Sequence, residues 1–268
     1  MEIKLIVVDV DGTLLNSQHE LTGLTQATVL ALQQRGIKFT LATGKIFPAI
    51  VSIIHALDLN QPLILANGAL VQQVNGKIIS EIPLPRQHLL PLIDFLFASG
   101  LDYALYTADQ VFVPHHSYNT TLVVEYDDPQ PIEIGKIELT DTTFYKLVVL
   151  DRQGVAQLDF FGSELNKKFE GILKAHRSVP GMLEVFNAET SKSVAVRAIA
   201  AHLGLGLSEV MVVGDSYNDI DMFQVAGLAV AMGNAPELVR QAVHITIGTN
   251  DEDGLARYIS SAFDLGIM

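Results

Sequence analysis

An almost unbroken apolar run near the head of the chain, Ile3-Lys4-Leu5-Ile6-Val7-Val8, ends abruptly in Asp9-Val10-Asp11-Gly12-Thr13. So few polar positions fit a strand covered on both faces, as in a parallel sheet. Parallel strands need crossover connections, usually helices, so this stretch favours a chain of alternating strands and helices. Gly12 and the polar residues after it break the strand, delivering two carboxylates to its C-terminal end, where open α/β sheets place ligands. Asp9 and Asp11 stand two apart, so on a regular strand they share one face. Carboxylates that close repel unless a cation lies between them or one takes a proton. The plainer alternative is a solvated turn with incidental acids.

The expected alternation follows. Leu24, Ala27, Leu30 and Ala31 give helical spacing over 21–34, and Gly36 closes that helix. Ile37–Ala42 reads as a second strand running into Thr43-Gly44-Lys45, a helix spans about 47–57, and Pro62–Ala66 is a third strand. The rhythm then changes. Leu70–Val74 and Lys77–Ile82 flank Asn75-Gly76, a two-residue hairpin signal. Beyond it come a helix at 87–98, strands near 103–106, 111–113 and 144–150, helical spacing over 163–175, and a strand at 182–186. The α/β rhythm returns at Lys192, with a helix to His202 and the strand Val210–Val213 running into Gly214-Asp215-Ser216-Tyr217-Asn218-Asp219. A helix from Ile220, strands at 228–231 and 243–247, and helices from Pro236 and Asp253 follow. The expected fold class is α/β, a doubly wound and mostly parallel Rossmann-like sheet over residues 1–83 and 188–268, with an inserted α+β domain at 84–187.

Charge and composition narrow the function. The 268 residues carry a formal charge of −13, against a nucleic-acid surface, which needs clustered Lys and Arg. No apolar run reaches the length of about 18 residues that spans a membrane. No secretion signal is read at the N-terminus. The chain has no Cys, which rules out disulfides and thiolate metal sites and fits a cytoplasmic protein. A phosphate site in so acidic a chain has to be built locally, from helix ends, a cation and one or two placed bases.

Four loops supply candidates at C-terminal strand ends. Asp9, Asp215 and a backbone carbonyl of the first loop can offer three hard oxygens to Mg²⁺. Asp219 either joins that set or is an acidic residue favouring a helix N-terminus. Thr43 is either a phosphate ligand, with free backbone N–H groups beside it, or a plain helix cap. Lys192 starts a helix, where a cation opposes the dipole, so it is either a phosphate-binding base or a solvated lysine.

These residues together resemble the haloacid dehalogenase superfamily of phosphatases. Asp9-Val10-Asp11-Gly12-Thr13, Thr43-Gly44, Lys192 and Gly214–Asp219 look like its four motifs, in order. The insert position, Asn67-Gly68-Ala69 and Gly233-Asn234-Ala235 resemble the Cof-type subfamily with the C2 cap of the IIB form. The resemblance implies that Asp9 is the nucleophile forming an aspartyl-phosphate and Asp11 the general acid and base. It implies Mg²⁺ held by Asp9, the Asp11 carbonyl and Asp215, supported by Asp219. Thr43, Gly44, Lys192 and Asn218 would bind the transferring phosphoryl group, and the cap would close over the core. Lys45 and Ser193 depart from the family pattern, where Arg and Gly are common. His115, His116, Tyr118 and Lys146 in the insert read as surface or packing residues.

The expected function is Mg²⁺-dependent hydrolysis of phosphate monoesters of small soluble metabolites, sugar phosphates or nucleotide-like cofactors. The partner is such a metabolite, with no nucleic acid and no membrane, and the chain is a monomer or homodimer. A phosphomutase of the same superfamily and a non-catalytic phosphometabolite sensor are the alternatives; the sensor has no need of Asp11.

Overall fold

The computed structural model describes residues 2–135 and 138–267. The chain divides into two compact units: Met1–Gly44, Val51–Glu81 and Ser191–Met268 form the first, and Lys45–Ile50 with Ile82–Thr190 the second. The second unit thus takes in a short piece of the early chain, Lys45–Ile50, which the expected insert did not include.

The first unit holds a parallel sheet in the spatial order Ile245–Thr246, Leu228–Ala231, Val210–Gly214, Leu5–Val8, Lys38–Leu41. Leu5–Val8 lies inside the sheet and is fully buried, as its apolar run requires, and burying each such side chain contributes about 1.5–3 kcal/mol. The chain passes from it to Lys38–Leu41 on one side and later returns on the other at Val210–Gly214. Val8 pairs with Val213, so the loops after these two strands emerge side by side at a topological switch point.

Three expectations change. The third strand, Leu63–Leu65, touches the parallel sheet through one bridge, Ala42 to Ile64, and otherwise pairs antiparallel in a separate sheet with Leu70–Gln72 and Ile78–Glu81. The Asn75-Gly76 turn is longer than two residues: Gln73 accepts from the Gly76 N–H and donates to the Lys77 carbonyl, leaving Val74, Asn75 and Gly76 in the loop. Gly76 alone of these has a positive φ, +86°, the pattern of a type I turn followed by a left-handed residue. The helix expected at 163–175 is Val155–Lys168, and Leu173–Val179 is a strand. Leu165, Phe169 and Leu173, four apart, continue a helical stripe across a boundary that Gly171, at φ +71°, marks.

The second unit is built on a six-stranded sheet ordered Leu173–Val179, Met182–Asn187, Lys146–Leu150, Asp102–Tyr106, Val111–Val113, Ile132–Glu133. Its pairings are antiparallel except the last, which is parallel. One face packs Leu105, Leu147, Val149, Leu183 and Val185 against Leu89, Leu92 and Leu96 of the helix Arg86–Ser99 and Leu158, Phe161 and Leu165 of Val155–Lys168. Ala104, Tyr106 and Val148 join a second cluster, with Ile46 of the early segment.

Candidate active site

The strand Leu5–Val8 stops one residue before Asp9, and Val10–Leu14 forms a wide irregular turn in which Asp11 has φ −80° and ψ 122° and Gly12 φ +81°. The two acids therefore do not share a strand face. Asp9 is buried, while the Asp11 side chain stays 40% exposed, with Oδ1 3.4 Å from His19 Nδ1. Gly12 is required where it stands: a Cβ there would lie 2.4 Å from Asp215 Oδ2, and the backbone is left-handed.

Asp9, Asp215 and Asp219 bring carboxylate oxygens within 4.8 Å of one another. Lys192 Nζ sits between two of them, donating to Asp9 Oδ1 and Asp219 Oδ1, each at 2.6 Å. Its side chain has no exposed surface, so the solvated reading of Lys192 does not hold. Ser191 caps the helix Lys192–His202 by accepting from the Val194 N–H, worth about 1 kcal/mol, and this fixes where the lysine enters. Asp219 is fully committed: Oδ1 accepts from Lys192, and Oδ2 accepts from the Asp215 and Ser216 N–H groups at 3.0 and 2.9 Å. It thereby shapes the loop that presents Asp215. Thr13 Oγ1 donates to Asp215 Oδ1 at 2.8 Å from the other side.

Protonation follows from this crowding. Burial pushes Asp9 well above the usual carboxylate range, Asp219 and Asp215 push the same way, and Lys192 opposes them. Burial likewise raises Asp215 to about 6, with the Thr13 hydrogen bond pulling down and Asp219 pushing up. Burial works against the Lys192 ammonium, but Asp219 and Asp9 outweigh it and hold its pKa above the ordinary value. Acids driven toward neutrality by one another and by burial, with hard oxygens converging, form a donor set suited to a small divalent cation. Asp9 and Asp215 fit as ligands; Asp219 fits as their support. The Asp11 carboxylate is not in this group.

Among the phosphate candidates, Thr43 is buried, donates its N–H to the Ile64 carbonyl at 2.9 Å and accepts from the Asn67 N–H at 2.9 Å. Gly44 follows it, and Asn218 Nδ2 donates to Asn67 Oδ1 at 3.0 Å. The departures lie beside these loops. Lys45 belongs to the second unit, with Nζ 3.5 Å from the Tyr126 carbonyl and Asp127 Oδ2; the Ser193 N–H donates to Asp221 Oδ2 at 3.2 Å. Residue-by-residue reading gave no role to Thr13, Asn67 or Asn234. Asn234 Nδ2 donates to the Gly12 carbonyl at 2.8 Å, and its Oδ1 accepts from the Asn250 N–H, bracing the first loop. Asn67-Gly68 and Gly233-Asn234, turn-forming residues after short apolar strands, were the available signal.

The description haloacid dehalogenase-like hydrolase belongs to the family profile that matches residues 6–259. The chain is 30% identical over 265 residues to YxeH of Bacillus subtilis (strain 168), covering 96% of this chain and 97% of that one. It is 28% identical over 259 residues to 5-amino-6-(5-phospho-D-ribitylamino)uracil phosphatase YcsE of the same organism, covering 97% and 95%. Its structure is similar to that of a haloacid dehalogenase-like hydrolase from Bacteroides thetaiotaomicron, with TM-score 0.89, 28% identity, and 98% and 100% of the two chains covered.

Proposed function

The chain belongs to the haloacid dehalogenase-like hydrolases and is a phosphatase, and from that premise we propose that it hydrolyses phosphate monoesters of small metabolites, with Mg²⁺, through an aspartyl-phosphate on Asp9. Sugar phosphates and nucleotide-like compounds are the proposed substrate class, and the phosphorylated ribityl-pyrimidine in the name of the relative YcsE supports it. The observation that carries the reading is the placement of Lys192 Nζ at 2.6 Å from both Asp9 and Asp219, where three acids converge beyond the parallel strands.

Asp9, the Asp11 backbone carbonyl and Asp215 would hold the cation, with Asp219 behind them. When bound, the ion would offset the charge that a phosphate dianion meets among these acids. Asp9 attacks phosphorus with a carboxylate oxygen; a P–O bond to Asp9 forms as the bond to the leaving oxygen breaks. Asp11 gives its proton to that oxygen, then takes one from the water that attacks the phosphoryl group, releasing phosphate and restoring Asp9. The partial exposure of Asp11 suits a group that exchanges protons with an alcohol and a water. Lys192, Thr43, Gly44 and Asn218 hold the phosphoryl oxygens, and Lys192 also fixes the orientation of Asp9.

A screen of phosphorylated metabolites with Mg²⁺, reading free phosphate and run beside Asp9→Asn, tests this. The expected result is release that the substitution abolishes. Release that survives it unchanged removes Asp9 as nucleophile. Isomerised product without free phosphate, or no turnover of any compound, overturns the hydrolase reading.

A further inference from the structure

The turn at Ala66-Asn67-Gly68 has no part in the chemistry above, yet its conformation is unusual. All three residues have positive φ, +47°, +55° and +95°, and all three are buried. Left-handed backbone is strained for Ala, better tolerated by Asn and free for Gly, and consecutive strained residues persist where their surroundings enforce them. The surroundings here are three of the loops assigned above to the phosphoryl group. The Asn67 N–H donates to the Thr43 carbonyl at 2.9 Å, and its Oδ1 accepts from Asn218 Nδ2 at 3.0 Å. A Cβ on Gly44 would lie 3.2 Å from Asn67 Nδ2 and 3.4 Å from its Oδ1, so the Asn67 amide packs against that loop. A Cβ on Gly68 would lie 2.2 Å from the Ser191 carbonyl, so only glycine lets the turn approach the residue that caps the Lys192 helix.

Asn218 explains why this matters. Its Oδ1 is buried with no hydrogen-bond partner among the described residues, so nothing on the oxygen side orients the amide. Among the described residues the bond that does so comes from Asn67, which engages one N–H and fixes the nitrogen, not the oxygen, as the end that can reach an anion. We propose that Asn67 is a positioning residue for phosphoryl binding: it orients the Asn218 amide and ties the Thr43-Gly44 loop to it. This rests on the phosphatase reading for the identity of the ligand.

Asn67→Gly removes the amide and keeps the left-handed backbone accessible. Inorganic phosphate titrated calorimetrically with Mg²⁺ present should bind about 10-fold or more weakly, the loss of one charge-assisted contact. The thermal midpoint should hold, and in an Asn218→Ala background the same substitution should cost little further, because its effect runs through Asn218. Wild-type phosphate affinity in Asn67→Gly, or an undiminished loss in the Asn218→Ala background, overturns the proposal. Should Asn67→Gly fail to fold, Asn67→Ala also removes the acceptor for Asn218, at a backbone conformation that Ala66 beside it already adopts; unchanged phosphate affinity there overturns it equally. A wild type that binds phosphate but turns over no ester defeats the phosphatase reading and leaves this test intact.

Discussion

Each unit buries a cluster of charge, and the two are assembled on different principles. In the first, Asp9, Lys192, Asp215 and Asp219 all leave loops or a helix start, and three acids face one ammonium. In the second, Lys146, His176 and Glu184 stand on strands. His176 lies directly opposite Glu184, Glu184 opposite Val148, and Lys146 two residues along from Val148 on the same face. Lys146 Nζ meets Glu184 Oε1 at 3.0 Å and sits 4.4 Å from the Tyr106 ring centre, while the Tyr106 hydroxyl donates to Asp128 at 2.9 Å. The strand cluster pairs its ammonium with Glu184, holds Asp128 through the Tyr106 hydroxyl and adds an aromatic face. The loop cluster keeps an excess of carboxylate, a cost to the fold that makes sense only where a cation and an anion are to be bound. Mutations should therefore divide: in the first unit they should cost activity before stability, in the second stability outright.

The widest separation is expected at Asp9. Asp9→Asn should lower phosphate release by at least about 10³-fold, as for loss of a nucleophile. The same substitution should leave the thermal midpoint level or higher, since it removes a carboxylate that burial and two neighbouring acids disfavour. Turnover assay and calorimetry on one preparation decide it. A midpoint that falls sharply would show that the Lys192–Asp9 pair stabilises the fold and would collapse the contrast.

Lys146→Met should show the opposite behaviour. Lys146 and Glu184 are both nearly buried, with side chains 4% and 9% exposed, so removing one leaves the other buried without this ion pair. Urea unfolding should record a loss of about 3–5 kcal/mol, and Lys146→Met with Glu184→Leu should recover most of it. If the double variant is as weak as the single one, the pair is held by more than mutual charge.

The two clusters also differ in how far the sequence discloses them. Asp9 and Asp215 announce themselves because an apolar run stops at each, which shows strand end and functional loop at once. Lys192 stands against a helix dipole, and its position alone raises the question of a partner. Glu184 carries no such mark: its relation to Lys146, 38 residues away, depends on strand register, which no local pattern encodes. The same limit misplaces Leu173–Val179. Leu173, Ala175 and Val179 do alternate as a strand requires, but the four-residue spacing from Leu165 through Phe169 is equally present. Asn67 falls between these extremes: its turn is visible in sequence, but its role depends on Asn218, 151 residues away.

The excess of carboxylate in the first unit also sets a pH dependence. Asp215 titrates near 6 in the fold and lower when unfolded, so between the ordinary carboxylate range and about 6 the native state binds more protons than the unfolded state. Stability then falls as pH rises through that window. Asp9, also raised, acts in the same direction. With chelator present, the thermal midpoint of the wild type should fall relative to Asp215→Asn as pH rises from 4 to 7. Added Mg²⁺ should reverse the trend, since it favours the ionised acids. A wild type that gains on Asp215→Asn over this range without metal would mean that Lys192 and Thr13 already satisfy the carboxylate.

The smallest effect belongs to Thr13, and it separates positioning from charge in the loop cluster. Its hydroxyl donates to Asp215 Oδ1 at 2.8 Å and pulls the acid's pKa down against burial. Val has nearly the shape of Thr and no donor, so Thr13→Val should cost about 1 kcal/mol of stability, the ordinary worth of one hydrogen bond. It should also let Asp215 rise above about 6. At pH 8 the acid is ionised in both proteins and Mg²⁺ should bind almost equally. At pH 6 the variant holds its proton more often and should bind several-fold more weakly, because the ion has to displace that proton. Calorimetric Mg²⁺ titrations at the two pH values separate the explanations. A deficit confined to pH 6 assigns Thr13 to keeping Asp215 charged. An equal deficit at both assigns it to aiming the carboxylate, and the pH dependence would then have to come from Asp9.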